Sequence, residues 1–226
     1  MRKVIPILVC CLPVIMFLNF KETNSDVVKY IALGDSYTIG TGANPSEAWP
    51  NILTKHLNDE GIKTELVANP SKNGFSTQNL IDAELPVFDK SSATFVTLLI
   101  GVNDWVRDVN ASTYTKNLIY ILDHIQKKLP NKKNILLVTI PDFGVTPQGA
   151  YYSNDRNVSN GITEFNNIIK TEAQKRGLPV ADVFEISKNM KDNTELTAPD
   201  GLHPSAKEYA IWETIIFPQA KTLLSK

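Results

Sequence analysis

Thr94-Phe95-Val96-Thr97-Leu98-Leu99-Ile100, followed at once by Gly101-Val102-Asn103-Asp104, is the stretch whose reading decides the fold. Apart from its two threonines the run is apolar on both alternating faces, so as a strand it has no side to offer water. Strands of that kind sit in parallel sheets covered by helices above and below. The rest of the chain fits around it. Residues 27–33, 63–68, 134–139 and 178–183 read as further strands, and residues 48–60, 78–85, 112–129, 161–175 and 205–224 as helices. Within 112–129, Leu118, Ile121, Leu122, Ile125 and Leu129 show the three-and-four spacing of a helix with one buried side. Pro218 is expected to bend or end the last helix early. Strict alternation of strand and helix predicts an α/β protein, a three-layer α/β/α sandwich around a parallel sheet of about five strands. In such sheets ligands bind beyond the carboxyl ends of the strands, so chemistry is sought just after each strand.

Length and composition narrow the search. The chain has 226 residues, enough for one well-buried domain. Hydrophobic residues make up 42% and charged residues 21%, which excludes disorder as the ground state. With 23 basic against 24 acidic residues and no block of one sign, nucleic acid is not an expected partner.

The start of the chain differs from the remainder. Arg2 and Lys3 precede an apolar run at 4–20, broken only by Pro6, Pro13 and Asn19, and polarity returns at Lys21. That layout predicts an export signal at 1–25 ahead of one domain at 26–226, and hence a periplasmic or extracellular protein. The alternative is a retained membrane anchor, since no small-x-small cleavage pattern follows Phe20 and the run approaches bilayer-spanning length. A lipid anchor at Cys11 is weaker, because Cys10 precedes it where a small residue is expected. Both cysteines lie in this leader, so the remaining domain holds no thiol for a disulfide, a nucleophile or a metal.

Four segments fall where a parallel sheet places its chemistry. Gly34-Asp35-Ser36-Tyr37 follows the first strand, and a tight turn there lifts the Ser36 hydroxyl out of the sheet. Asn73-Gly74 follows the second strand, where the plain reading is a favoured turn dipeptide. Asn103, after the most apolar strand, either caps a helix or aims its amide at a developing oxyanion. In Asp200-Gly201-Leu202-His203-Pro204 a carboxylate three residues before a histidine can reach Nδ1 and leave Nε2 free as a base. The other histidines, His56 and His124, sit inside helical patterns and read as ordinary helix residues. A serine hydroxyl needs such a base within hydrogen-bond reach to act as a nucleophile.

Gly34-Asp35-Ser36, Gly74, Gly101-x-Asn103-Asp104 and Asp200-x-x-His203 resemble, in order and interval, the four blocks of the SGNH hydrolase superfamily, the GDSL-type lipases and esterases. The resemblance spans residues 27–224. It implies a flavodoxin-like sandwich, with Ser36 as nucleophile, His203 as base and Asp200 as its orienter. It also implies an oxyanion hole from Ser36 N–H, Gly74 N–H and the Asn103 amide, and no cofactor. Tyr37 departs from the leucine of the common motif and is similar to bacterial arylesterase and lysophospholipase members. That departure leaves the triad intact and puts the shape of the acyl pocket in question. Tyr37, Phe75, Trp105 and Phe143 are candidates for the substrate pocket, and the irregular stretch 141–160, with Tyr151 and Tyr152, is a candidate wall.

The expected substrate is a small-molecule, lipid or glycan ester. A carbohydrate O-deacetylase is the alternative within the enzyme class, and a catalytically silent acyl-glycan binding protein the alternative outside it. Other catalytic classes lack their signatures. No Gly-x-Ser-x-Gly marks an α/β-hydrolase elbow, and Pro45 stands where a dinucleotide fingerprint starting at Gly40-Thr41-Gly42 needs its third glycine. There is no phosphate-binding Gly-x-x-x-x-Gly-Lys, and no paired histidines suggest zinc.

Overall fold

The computed structural model describes Met1 and residues 27–225. The leader expected at 1–25 lies, Met1 apart, outside the described residues. Five strands, β1 Val28–Gly34, β2 Thr64–Ala68, β3 Phe95–Leu99, β4 Ile135–Val138 and β5 Val180–Ala181, form one sheet in the order β2-β1-β3-β4-β5, every pair parallel. That is the flavodoxin-like order, and it reverses direction between β1 and β3. β3 is buried along its whole length, as its apolar sequence requires.

Helices cover both faces. Trp49–Asp59 packs with Ala206–Leu224, and Ala111–Lys128 packs with Val158–Arg176. Local chemistry sets their ends. Asn110, Asn157 and Ser205 accept N–H bonds as N-caps, and Gly177 closes the helix Val158–Arg176 in a left-handed conformation, φ 59°. The expected stripe of Leu118, Ile121, Leu122 and Ile125 is the buried face of its helix, joined by Tyr114. Among the described residues no helix is long and apolar enough to cross a membrane.

Three expectations are corrected. The last helix keeps its expected span to Leu224, so an early end at Pro218, one of the two outcomes expected there, does not occur. Ile216 and Ala220, fully buried on either side of the proline, hold the helix in place, and tertiary packing outweighs the lost backbone bond. The strand expected at 178–183 is only Val180–Ala181, because Val183 N–H donates to Thr139 Oγ1 and ends the ladder. The helix expected at 78–85 is three pieces: an α-turn at Thr77–Asn79, a π-helical turn at Leu80–Glu84 and an α-helix at Leu85–Lys90. Pro86 cannot donate to the carbonyl four residues back and crowds it. The turn just ahead widens, with Leu85 N–H reaching back to Leu80 O.

Candidate active site

β1 ends at Gly34, and Ser36 opens the short helix Ser36–Ile39 that follows it. Asp35 caps this turn by accepting Tyr37 N–H, 3.0 Å away. As the first helical residue, Ser36 has an N–H with no acceptor inside the turn. Its hydroxyl faces His203, 167 positions along the chain, at 2.9 Å from Nε2. On the far side of the ring, Nδ1–H donates to Asp200 Oδ2 at 2.6 Å.

A tight turn makes the second half of this arrangement. Asp200 Oδ1 accepts N–H bonds from both Leu202 and His203, each at 2.9 Å, so the carboxylate is fixed before it meets the imidazole. The turn is closed by Ala198 N–H to His203 O and is tied to the 141–160 stretch by Gln148 N–H to Gly201 O. Burial works to raise the Asp200 carboxyl, but the Leu202 N–H, the imidazole and the His203 N–H outweigh it and hold the group below its ordinary range. Asp200 therefore stays an anion, able to hold a positively charged imidazole. Gly42 explains how the two loops meet: at φ 99°, any Cβ there would lie 2.5 Å from Pro204 O and 2.7 Å from Ala198 Cβ. Gly42 thus serves the contact between the Ser36 loop and the histidine loop, whereas the space at Gly40 is closed by Ala48.

The segments after β2 and β3 are bonded to each other. Asn103 Nδ2 donates to Phe75 O at 2.9 Å, which fixes the amide plane and leaves its second proton free. Asp104, 1% exposed, accepts from Thr77 N–H and Thr77 Oγ1, and Arg107 Nη2 donates to Gly74 O at 2.6 Å. Burial pushes the Asp104 carboxyl up, and the Thr77 bonds work against that shift.

Ser36, Gly74, Asn103 and His203 line one cavity of about 210 Å³ with Tyr37, Asn73, Val102, Val106, Phe143, Tyr152 and Leu202. Of the aromatic candidates, Tyr37 and Phe143 are in this wall, and Phe75 and Trp105 are not. Trp105 is packed edge-on against Phe143, with the Arg156 guanidinium 4.0 Å over its ring, and is buried. The Phe75 ring has Lys72 Nζ 5.8 Å from its centre. Tyr37 sets its ring 5.7 Å from the His203 ring, at 61°, and Trp49 Nε1 donates to its carbonyl. The residue that departs from leucine is therefore a brace for the imidazole as well as pocket wall. Val102, Val106 and Leu202 were not foreseen. Their signal was available, since Val102 and Val106 lie four apart on the helix Val102–Val106 that carries Asn103.

A wider, open groove of about 720 Å³ lies between Ala111–Lys128 and Val158–Arg176, with Thr115, Asn160, Thr163 and Glu164 in its wall and no histidine. All three histidines have carboxylate partners: His56 with Glu213 at 3.1 Å, His124 with Asp89 at 2.8 Å, and His203 with Asp200. Among the described residues only His203 has a serine hydroxyl on its other nitrogen. Chemistry, not volume, picks out the smaller cavity.

Comparison with known proteins agrees on the fold. A model of the GDSL-like Lipase/Acylhydrolase family matches residues 32–211. The chain is 25% identical over 142 residues to an arylesterase of Vibrio mimicus, covering 62% of this chain and 70% of that protein. It is 28% identical over 123 residues to a multidomain esterase of Ruminococcus flavefaciens, covering 53% of this chain but only 14% of that much longer protein. The crystal structure of TesA superimposes with a TM-score of 0.69 at 20% identity, over 86% of this chain and 99% of that one.

Proposed function

Since the chain belongs to the GDSL-like lipase/acylhydrolase family, we propose that it hydrolyses carboxylic esters through an acyl-enzyme on Ser36, with His203 as base and Asp200 as the group that orients it. The observation that carries this reading is the continuous line of bonds from Ser36 Oγ through the His203 ring to Asp200. His203 Nε2 takes the hydroxyl proton as Oγ attacks the acyl carbon. The negative charge that develops on the carbonyl oxygen is met by Ser36 N–H, Gly74 N–H and the free proton of the Asn103 amide. His203 returns its proton to the departing alcohol, and water repeats the sequence on the acyl-enzyme.

Asn103→Ala is expected to lower kcat about 10²- to 10³-fold with little change in KM, because an oxyanion donor acts in the transition state rather than on bound substrate. Steady-state kinetics on a nitrophenyl ester measures this. A loss below about threefold would reduce Asn103 to a residue that only ties down the Phe75 carbonyl.

The cavity supports a short acyl group. About 210 Å³, walled by Val102, Val106, Phe143 and Leu202, is little more than the ~150 Å³ that holds a benzene ring in a protein core, so acyl chains up to about six carbons fit with the alcohol portion outside. Across nitrophenyl esters from acetate to palmitate, kcat/KM should peak at or below hexanoate and fall at least about tenfold by laurate. Undiminished turnover of palmitate would contradict the short-acyl reading. The charged start and apolar run of the leader support export of the enzyme from the cytoplasm.

A further inference from the structure

Beneath the nucleophile turn two carboxyl groups are sealed from water. Asp35 and Glu84 are both 0% exposed, and no cationic side chain bonds either of them among the described residues. Each uses one oxygen on the turn: Asp35 Oδ1 accepts Tyr37 N–H, and Glu84 Oε2 accepts Gly34 N–H at 2.9 Å. Each has its second oxygen, Asp35 Oδ2 and Glu84 Oε1, buried without a partner. Glu84 arrives there from 50 residues away, at the end of the π-helical turn Leu80–Glu84. The β2 ladder with β1 ends at Ile31 and Ala68, three residues before Gly34. Glu84 thus supplies an acceptor just where β1 runs beyond that neighbour. Gly34 is itself tightly confined, since a Cβ would lie 2.2 Å from both Leu99 O and Thr38 Oγ1.

We propose that Glu84 is the positioning residue of the nucleophile turn, holding Gly34 N–H so that Ser36 Oγ stays in reach of His203 and of the oxyanion donors. The inference rests on the reading of Ser36 as nucleophile. One segment, 73–84, then serves both halves of the site, with Gly74 at its start and the clamp on Gly34 at its end. Glu84 does this as an uncharged acid: an unpaired carboxylate in a dry interior is strongly disfavoured, and protonation of one oxygen leaves the other to accept the N–H. The charged groups around it are Asp35 on the turn and, beyond it, Asp104 on the helix Val102–Val106, and both are acidic. Burial pushes Glu84 up to about 9, opposed by the Gly34 bond and reinforced by Asp35. Burial also pushes Asp35 up to about 8, with the Tyr37 N–H opposing and Asp104 reinforcing.

The test compares ester turnover from pH 6 to 10 in wild type, Glu84→Leu and Glu84→Gln. Leucine removes the acceptor, so kcat should fall about tenfold or more with KM within about twofold. Glutamine has the same size, accepts Gly34 N–H through its carbonyl oxygen and does not ionise. It should rescue the leucine loss at pH 7 and keep more of its kcat than wild type does between pH 8 and 10. Asp35 titrates in both proteins, so a loss of kcat at high pH that is present in wild type and absent in Glu84→Gln belongs to Glu84 and its coupling with Asp35. Wild-type kcat in Glu84→Leu, or no rescue by glutamine, overturns the proposal. Should the leucine variant fail to fold, glutamine decides alone, and a pH profile superimposable on that of wild type overturns it. Failure of the ester reading itself has a separate sign, wild-type turnover in Ser36→Ala.

Discussion

Ser36→Ala is expected to lower kcat on any ester substrate by about 10⁴-fold or more while leaving the fold intact. The size of the effect follows from what the hydroxyl does. Without it there is no atom to carry the acyl group, and what remains is water attack assisted by the oxyanion donors. The fold is spared because, among the described residues, the only side-chain bond of Ser36 Oγ is to His203 Nε2, at the wall of an open cavity where water can replace it. Ester kinetics and a thermal melt on the same sample separate the two effects. A rate within about tenfold of wild type, with an unchanged melt, would remove Ser36 from the chemistry.

Asp200→Asn should be nearly as damaging, by about 10³- to 10⁴-fold in kcat, and the reason lies in the turn. Two backbone N–H groups, from Leu202 and His203, point at Oδ1. An asparagine must place its carbonyl oxygen there, which puts its NH₂ where Oδ2 stood, facing His203 Nδ1. A donor facing Nδ1 forces the proton of the neutral ring onto Nε2, and that nitrogen then has no lone pair for the Ser36 proton. Asp200→Ala leaves the ring free to choose its tautomer and is expected to be the milder change. Equal kcat values in the two variants, or a more damaging alanine, would contradict this account of the orienting carboxylate.

Much of this was legible before any coordinates. The near-continuous apolarity of 94–100, broken only by Thr94 and Thr97, predicts a central covered strand, and β3 is that strand. Asp200 and His203 are three residues apart, so their contact depends on local turn geometry that sequence can express. The approach of Ser36 to His203 was reachable because both follow the carboxyl edge of a parallel sheet, where distance along the chain does not matter. What stayed hidden depends on packing between distant segments. Phe75 and Trp105 have the right chemistry for a pocket, yet Trp105 is spent on Phe143 and Arg156. Pro218 carries a strong local signal that burial of its neighbours overrides. Glu84 reads in sequence as one charged residue in a helix, and only the π-helical turn ahead of Pro86 sends it inward to Gly34.

The most direct measurement is covalent capture of the nucleophile. A fluorophosphonate reacts with an activated serine and leaves a stable phosphonyl ester. After labelling of the active protein and digestion, mass spectrometry should place one adduct on the peptide that holds Ser36, with labelling absent in Ser36→Ala and slowed in Asp200→Asn. An adduct on a different residue, or hydrolysis that continues at full rate while Ser36 stays unmodified, would contradict the account.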